Sequence, residues 1–495
     1  MSSKSPTSNY LAMCSKLSDS VDFLGKSPVP SPAGSPFDSG KLIDVVQTNA
    51  IAMPVDYRSN YAQALVAALP SVCAQLQTDF NQSVAQGQDR GQAMAAAVSM
   101  ADTLVGAVRD WANPTYLRPL QRFEAVVSNF YRSFLSDEQR SKIQLPLKEV
   151  IPPLATFAAT ADDGPFTLPV DAVTSLVGAP IGIVSLPGSY REHPLLWPAL
   201  AHETGGHDVV HADSGLEEEL AQGVRNLRGL PAGVGSLWSA WMDETVADVY
   251  GLLNVGPSFA LSLSAFFSAL EKAFGESKTP GAISNRLPVQ GGSLADVHPV
   301  DLLRLYLAQG VVSKLSVLAP ARIHTWQTLI GEVAVQAAGG KRTIDLFDIQ
   351  SKTVVQSLPL AEMADAARAV GAYIATAQLK ALQGHSIQDI ETWDDGDDDA
   401  ANAIAAALGA GHPIVALGDD AQLLAGATMA FYNKSSDYAP ITSALNAALD
   451  DSFARDPIFG KPSPHFMLPP RHTRASGRSY HRTLRSLASL GLLAR

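Results

Sequence analysis

The spacing of apolar residues along this chain predicts helices over most of its length. Apolar residues recur at intervals of three and four, the period of an amphipathic helix. The stretches with this pattern are 57–136, 194–212, 237–274, 299–338 and 360–384. Short apolar runs bounded by Pro and Gly, at 166–168 and 181–184, instead predict strands. We therefore expect a mainly α fold with a small β-sheet, in the α+β class.

Changes in composition predict how the chain is divided. Residues 1–40 are rich in Ser, Pro and Gly and are expected to form a disordered tail or linker. A helical N-terminal domain at 41–145 precedes a central α+β domain at 146–385, and a helical C-terminal region follows at 386–455. Residues 456–495 form a basic tail, because seven Lys and Arg residues face one Asp there.

Charge and composition exclude several classes of protein. The 495 residues include 36 Lys and Arg against 48 Asp and Glu, a net charge of −12 that repels phosphate backbones and disfavours a nucleic-acid partner. No signal sequence and no membrane-spanning apolar run is evident, so we expect a cytoplasmic protein without a membrane segment. Two cysteines, Cys14 and Cys73, are too few for a disulfide framework or a thiolate metal cage. The acidic run at 394–399 is typical of a solvated loop or a helix N-terminus.

The pair His202 and His207 is the first sign of a chemical site. Metal-binding imidazoles usually lie four residues apart on a helix, whereas these two lie five apart and would diverge by about 140° on a regular helix. A π turn of about 4.4 residues would bring them back to one face. Gly205 and Gly206 lie where such a turn must form, although two glycines could also end one helix before His207.

A second segment supplies two carboxylates. Glu244 and Asp248 are four residues apart, so a helix presents both on one face. The neighbouring Trp241 and Val249 suggest that this face is buried. One carboxylate could bind a metal while the other accepts a hydrogen bond from a metal-binding imidazole.

Together these motifs resemble those of zinc metallopeptidases. His-Glu-x-x-x-His followed by Glu-x-x-x-Asp is similar to the gluzincin branch, and the first motif is most similar to that of the dipeptidyl peptidase III family, His-Glu-x-x-Gly-His. The resemblance covers only 197–251 and implies a zincin-like catalytic domain at 146–385 that hydrolyses peptides. It also implies one Zn2+ per chain, held by His202, His207 and Glu244, with Glu203 as the general base.

Further roles are expected around this centre. Asp248 and His211 are predicted to lie beside the ligands, and strand 180–186 is predicted to pair with the substrate backbone along a free edge. The developing oxyanion needs a hydrogen-bond donor. The candidates are Tyr190, Tyr250, His298 and Arg304, of which His298 is favoured because it opens a helix after a Gly-rich loop.

Two alternatives stay open at this point. The pair His207 and His211 is spaced four apart, so these residues could bind the metal with Glu203, leaving Asp208 as the base. The protein could also be a non-catalytic scaffold with a structural metal site, or a metal hydrolase that acts on substrates other than peptides.

Overall fold

Helices dominate the computed structural model, which describes residues 6–23, 35–135, 151–159, 164–275, 279–414 and 419–455. The helices are α1 (Pro6–Ser20), α2 (Ser39–Asn49), α3 (Val55–Tyr57), α4 (Gln63–Ala85), α5 (Arg90–Arg109), α6 (Pro114–Leu135), α7 (Val170–Val177), α8 (Asp208–Ala212), α9 (Leu216–Arg225), α10 (Val234–Ala240), α11 (Met242–Val255), α12 (Ser258–Ala273), α13 (Asp301–Val312), α14 (Pro320–Ala337), α15 (Leu360–Thr376), α16 (Asp395–Gly409), α17 (Asp420–Asn433) and α18 (Tyr438–Arg455). The strands are β1 (Leu154–Ala159), β2 (Phe166–Leu168), β3 (Ile183–Pro187), β4 (Arg286–Gln290), β5 (Ser293–Leu294), β6 (Thr343–Asp348) and β7 (Thr353–Pro359). The expected mainly α fold with small sheets is confirmed.

The chain forms two compact units, and each is assembled from separate segments. The first unit comprises Met1–Phe23, Arg132–Lys148 and His193–Ala448, and the second comprises Leu24–Tyr131, Glu149–Glu192 and Leu449–Arg495. These segments differ from the contiguous domains expected at 41–145, 146–385 and 386–455. Composition along the chain cannot reveal units whose parts are distant in sequence. The basic tail at 456–495 lies outside the described residues.

The second unit contains a three-stranded sheet in the order β1-β3-β2. Strand β3 pairs in parallel with β1 and antiparallel with β2, and all five of its residues are buried. The prediction that strand 180–186 offers a free edge to a substrate is therefore wrong. The reason is that a strand buried along its whole length is typical of the centre of a sheet, with neighbours on both sides.

Buried carboxylates occupy the outer edge of β1 in this unit. Glu124 accepts hydrogen bonds from the backbone N–H of Ala155 (2.8 Å) and from the hydroxyl of Tyr57 (2.7 Å). Asp110 accepts from the N–H of Phe157 (2.9 Å) in the same way. Because these backbone donors face away from β3, side chains supply the acceptors that another strand would have provided.

The first unit begins with α1, within residues expected to be a disordered tail. That expectation is wrong for Pro6–Ser20, because Tyr10, Met13, Cys14 and Leu17 follow the i, i+3, i+4, i+7 pattern and are buried. The hydroxyl of Tyr10 donates to the carbonyl of Gly281 at 2.8 Å. A composition rich in Ser and Pro concealed this short apolar stripe. Both cysteines of the chain are buried free thiols.

A four-stranded sheet in the order β5-β4-β6-β7 also belongs to the first unit. The sequence did not predict it, since most residues of β6 and β7 are at least partly exposed and show no clear apolar alternation. Strand β4 leads through β5 into the loop before α13. This loop carries His298.

The acidic run at 394–399 forms the start of α16, as one of the two interpretations predicted. The carboxylate of Asp394 accepts from the backbone N–H groups of Gly396 and Asp397, and Asp397 returns a bond to the N–H of Asp394. Arg322 on α14 donates to Asp398 at 2.8 Å. The run is thus used to cap and anchor a helix.

One described helical stretch, Arg90–Ala112, is long and apolar enough to cross a membrane, judged by length and composition only. In its most apolar 18-residue window, 61% of the residues are buried inside the protein, which is also how a core helix behaves. The absence of a membrane segment stays a prediction.

Candidate metal centre

The helix that carries His202 and His207 contains a π turn at Glu203–His207. Helical backbone angles continue on both sides, at His202 (φ −53°, ψ −47°) and Asp208 (φ −65°, ψ −36°). The wider turn brings the two rings together, with their Nε2 atoms 3.1 Å apart and their planes crossing at 87°. The predicted π turn is confirmed, and the alternative in which the glycines end a helix is wrong.

Helix α11 brings Glu244 to these rings because it packs directly on the π turn. A Cβ atom added at Gly206 would lie 2.7 Å from both Cα and Cβ of Ala247, so the approach requires a glycine. As a result, Oε2 of Glu244 lies 2.9 Å from Nε2 of His202 and 3.6 Å from Nε2 of His207. The two Nε2 atoms and Oε2 of Glu244, all of types that commonly bind metals, thus lie within 2.9–3.6 Å of one another.

Aspartates on α11 orient both rings. Nδ1 of His202 lies 3.0 Å from Oδ1 of Asp248, and Nδ1 of His207 lies 3.1 Å from Oδ1 of Asp243. An ionised carboxylate only accepts hydrogen bonds, so each ring donates from Nδ1 and a neutral ring then presents a lone pair at Nε2. Carboxylates in this position fix the tautomer and the orientation of metal-binding imidazoles.

The three converging atoms fit a first-row divalent metal. Two imidazole lone pairs and a carboxylate oxygen separated by 2.9, 3.1 and 3.6 Å repel one another unless protons or a metal cation lie between them. The side chains of His202, His207 and Glu244 are only 7%, 11% and 9% exposed, so water screens this repulsion little. Two ligands of a tetrahedral zinc ion lie about 3.3 Å apart, which agrees with these distances. The nitrogen-rich donor set disfavours Mg2+ and Ca2+.

The surrounding charges favour a cation in this position. Burial alone would lower the pKa of His207, but the carboxylates of Asp243 and Glu244 outweigh it and hold that pKa well above its ordinary value. Burial alone would raise the pKa of Glu244, but the positive charges of His298 and His207 hold it well below its ordinary value. The metal-free centre therefore retains protons that a metal ion displaces on binding.

Glu203 lies on the more exposed side of this centre. One of its carboxylate oxygens lies within 4.8 Å of a ring nitrogen of both His202 and His207. Its exposure is intermediate, whereas the two histidines are buried. At this range the carboxylate can accept a proton from a water held beside an ion, which is the role predicted from the sequence.

The structure also brings His298 to the centre. Its Nε2 lies 3.3 Å from Oε1 of Glu244, the oxygen opposite the one that faces the two rings, and its Nδ1 lies 2.7 Å from Oδ1 of Asp296. Burial alone would lower the pKa of His298, but Glu244 and Asp296 raise it to about 9. The ring can therefore donate a hydrogen bond from Nε2 at neutral pH in the metal-free protein. Its side chain is 32% exposed.

His211 adjoins the centre through Asp243. Its Nε2 lies 3.3 Å from Oδ1 of Asp243, the oxygen that also contacts Nδ1 of His207. The alternative site built on His207 and His211 requires Asp208 as its base, but Asp208 is fully buried. The distances favour the first ligand set.

The other candidate donors have different surroundings. Arg304 forms an ion pair with Asp248. Tyr250 is buried on α11 and meets the ring of Phe134 edge to face at a centroid distance of 4.3 Å. Tyr190 ends a buried turn in the second unit, whereas the residues of the centre belong to the first. Its catalytic role stays a prediction.

Two aspartates that orient histidines were not identified from the sequence. Asp243 immediately precedes Glu244, and that adjacency was the only available signal. Asp296 lies two residues before His298 and also accepts from the backbone N–H of His298 at 3.0 Å. An Asp-x-His pattern at the start of a helix can signal such a pair, because the local turn already brings the two side chains together.

Comparisons of the chain with protein families, curated proteins and solved structures found no match. Inference about function therefore depends on the two short motifs and on the arrangement of their side chains.

Proposed function

We propose that this protein is a zinc-dependent peptidase with a zincin-like core, in which His202, His207 and Glu244 hold one Zn2+. The observation that supports it most is the convergence of the two Nε2 atoms and Oε2 of Glu244 within 2.9–3.6 Å. The resemblance to gluzincin motifs adds the expectation that the substrate is a peptide. A cytoplasmic location and the lack of nucleic-acid and membrane partners remain predictions from the sequence.

The chain's own residues would supply the proton transfers. A zinc ion provides a Lewis acid that polarises a peptide carbonyl and lowers the pKa of water to about 7. Glu203 accepts the proton that the attacking water loses, and then donates it from the same carboxyl group to the leaving amine. Asp248 and Asp243 hold the two rings in place throughout.

His298 is the proposed donor to the oxyanion. Asp296 holds its Nδ1, and in the protonated ring the Nε2–H points toward Oε1 of Glu244 beside the centre. A donor held in advance stabilises charge as it develops, because no rearrangement is needed during the reaction.

One observation favours a second candidate function, a binding protein with a structural metal. Nε2 of His298 lies 3.3 Å from Oε1 of Glu244, so a third imidazole adjoins the proposed ligand set and could supply a fourth protein ligand. Structural zinc sites have four protein ligands, whereas catalytic sites keep one position open. In that case the protein would bind metal without turning over a substrate.

Metal analysis combined with a peptide library distinguishes these functions. The purified protein should contain one zinc per chain, and His207→Ala should lose it. Glu203→Gln should keep the metal while peptide hydrolysis, followed by mass spectrometry, falls by about 10²–10⁴-fold. Glu218→Gln, at an exposed glutamate on α9, is the matched control and should change neither.

The opposite results are equally informative. Wild-type protein without bound metal, or Glu203→Gln with full activity, would refute the proposed peptidase. Full zinc occupancy with no peptide cleaved would favour the structural metal site, and cleavage of only non-peptide esters or amides would indicate a different hydrolase on the same ligands.

A further inference from the structure

Arg304 on α13 holds the carboxylate of Asp248 with two hydrogen bonds. Its Nε lies 2.6 Å from Oδ2 and its Nη2 lies 2.6 Å from Oδ1. The side chains of Arg304 and Asp248 are only 4% and 3% exposed. The guanidinium also lies over the ring of Phe267, 4.7 Å from its centroid. A planar fork, paired with both oxygens and stacked on an aromatic ring, fixes the plane of the carboxylate.

The same carboxylate oxygen orients a proposed metal ligand. Oδ1 of Asp248 accepts from Nη2 of Arg304 and from Nδ1 of His202, which lies 3.0 Å away. Nη2 and Nδ1 are themselves 3.1 Å apart. When the ring proton is on Nδ1, both atoms are donors, and this short approach follows from their sharing one acceptor. The terminal torsion of an aspartate is soft, and without the fork Oδ1 could rotate away from the ring.

The helix that carries Arg304 is itself held closely. A Cβ atom at Gly310 on α13 would overlap the carbonyl oxygen of Arg368 on α15, and one at Gly371 on α15 would overlap the carbonyl oxygen of Leu307. The two backbones therefore touch, so α13 has little freedom to shift. A side chain mounted on such an element can define a position to a fraction of an ångström.

We propose that Arg304 is a positioning residue that sets the affinity of the centre for metal by fixing Asp248, and through Asp248 the ring of His202. The proposal rests on the metal centre of the proposed function. It assigns the effect to the geometry of the guanidinium fork, not to its positive charge, since a positive charge near the ion opposes metal binding.

Metal affinity measured on the full chain tests this directly. The protein is stripped with a chelator, and dissociation constants for Zn2+ and Co2+ are determined by competition with a chromophoric chelator. Arg304→Met should weaken binding of both metals by about 10–100-fold, the usual effect of losing a residue that orients a ligand. Arg304→Lys keeps the charge without the fork and should recover less than half of that loss on a logarithmic scale.

A double-mutant cycle isolates the route through Asp248. If Arg304 acts through this carboxylate, the variant that combines Arg304→Met with Asp248→Asn should bind metal no more weakly than Asp248→Asn alone. The visible absorption spectrum of bound Co2+, which reports ligand geometry, should change in Arg304→Met, in Asp248→Asn and in the double variant. Arg322→Met removes an arginine that binds aspartates on α16 and should leave both readouts unchanged.

Each remaining result counts against the proposal. The proposal would be overturned if Arg304→Met binds metal within twofold of the wild-type affinity, or if Arg304→Lys restores the wild-type affinity in full. It would also be overturned if the losses of affinity in the two single variants simply multiply in the double variant. If Arg304→Met does not fold, as judged by circular dichroism, the metal affinity of Arg304→Lys is used instead. An affinity of Arg304→Lys within twofold of wild type would then overturn the proposal. Wild-type protein that binds no metal would overturn the proposed function as well, whereas a metal-binding protein without peptidase activity leaves the positioning role standing.

Discussion

Replacing Gly206 by Ala tests the packing that forms the centre. In the wild type, a Cβ atom at this position would lie 2.7 Å from Cα and Cβ of Ala247 and 2.9 Å from its carbonyl oxygen. These are main-chain atoms of α11 and the first carbon of a side chain, which cannot rotate away. Gly206→Ala must therefore move α11 away from the π turn.

The size of this movement follows from contact distances. Non-bonded carbon atoms lie about 3.5–4.0 Å apart, so the two segments must separate by roughly 1 Å. Glu244 is on α11, so its Oε2 would move from 2.9 and 3.6 Å to roughly 4 and 4.5 Å from the two ring nitrogens. Two ligands of one tetrahedral zinc lie about 3.3 Å apart. We therefore expect zinc affinity to fall by at least about tenfold.

The stability of Gly206→Ala should fall as well, although replacing Gly by Ala inside a helix ordinarily raises stability. Overpacking costs about 1–3 kcal/mol, and the higher helix propensity of Ala returns up to about 1 kcal/mol. The free energy of unfolding, measured with denaturant in the presence of a chelator to exclude metal effects, should drop by about 1–2 kcal/mol. Gly409→Ala is the matched control, because nothing lies within 4 Å of its added Cβ. It should be neutral or slightly stabilising.

A Gly206→Ala variant that is as stable as wild type and binds zinc equally well would refute this reasoning. It would mean that α11 does not contact the π turn closely, and the distances that define the centre would lose their support.

Two further predictions concern carboxyl groups, one partly buried and one fully buried. Burial raises the pKa of Asp301 from 3.8 to about 7, although the positive charge of Arg304 lowers it. The protonated carboxyl group therefore contributes stability that is complete below pH 3.8 and is lost as the pH rises through about 7. Metal-free Asp301→Asn should therefore gain stability relative to wild type over that range in denaturant unfolding, and a difference that does not vary with pH would contradict the shift. Glu124→Leu removes the acceptor of the Tyr57 hydroxyl and the Ala155 N–H. It should lower the free energy of unfolding by about 2–6 kcal/mol in urea titrations, against about 1 kcal/mol for Tyr57→Phe, and equal losses would be inconsistent with a shared buried acceptor.

The features predicted correctly from the sequence are those that local geometry decides. A spacing of five positions from His202 to His207 can place both rings on one face only if the helix widens, and the π turn follows from that spacing. Similarly, Asp394 caps α16 because its side chain reaches backbone N–H groups two and three residues away. Such predictions need no knowledge of the rest of the fold.

Predictions failed where composition was used in place of burial. The Ser- and Pro-rich start of the chain contains α1, because four apolar side chains suffice to bury one helical stripe. The run at 181–184 was identified as a strand, but its central place in the sheet depends on β1 and β2. Sequence patterns show which face of an element is apolar and do not show which neighbours cover it.

Which side chains meet at the candidate centre depends on the tertiary structure. The spacing of Glu244 and Asp248 predicted one shared face of α11, but the distances that join this face to the rings depend on the close approach of Gly206 and Ala247. The fork of Arg304 reaches Asp248 from a residue 56 positions along the chain. Helical periodicity fixes the direction of a side chain relative to its own axis, whereas the position of one axis relative to another follows from how the whole core packs.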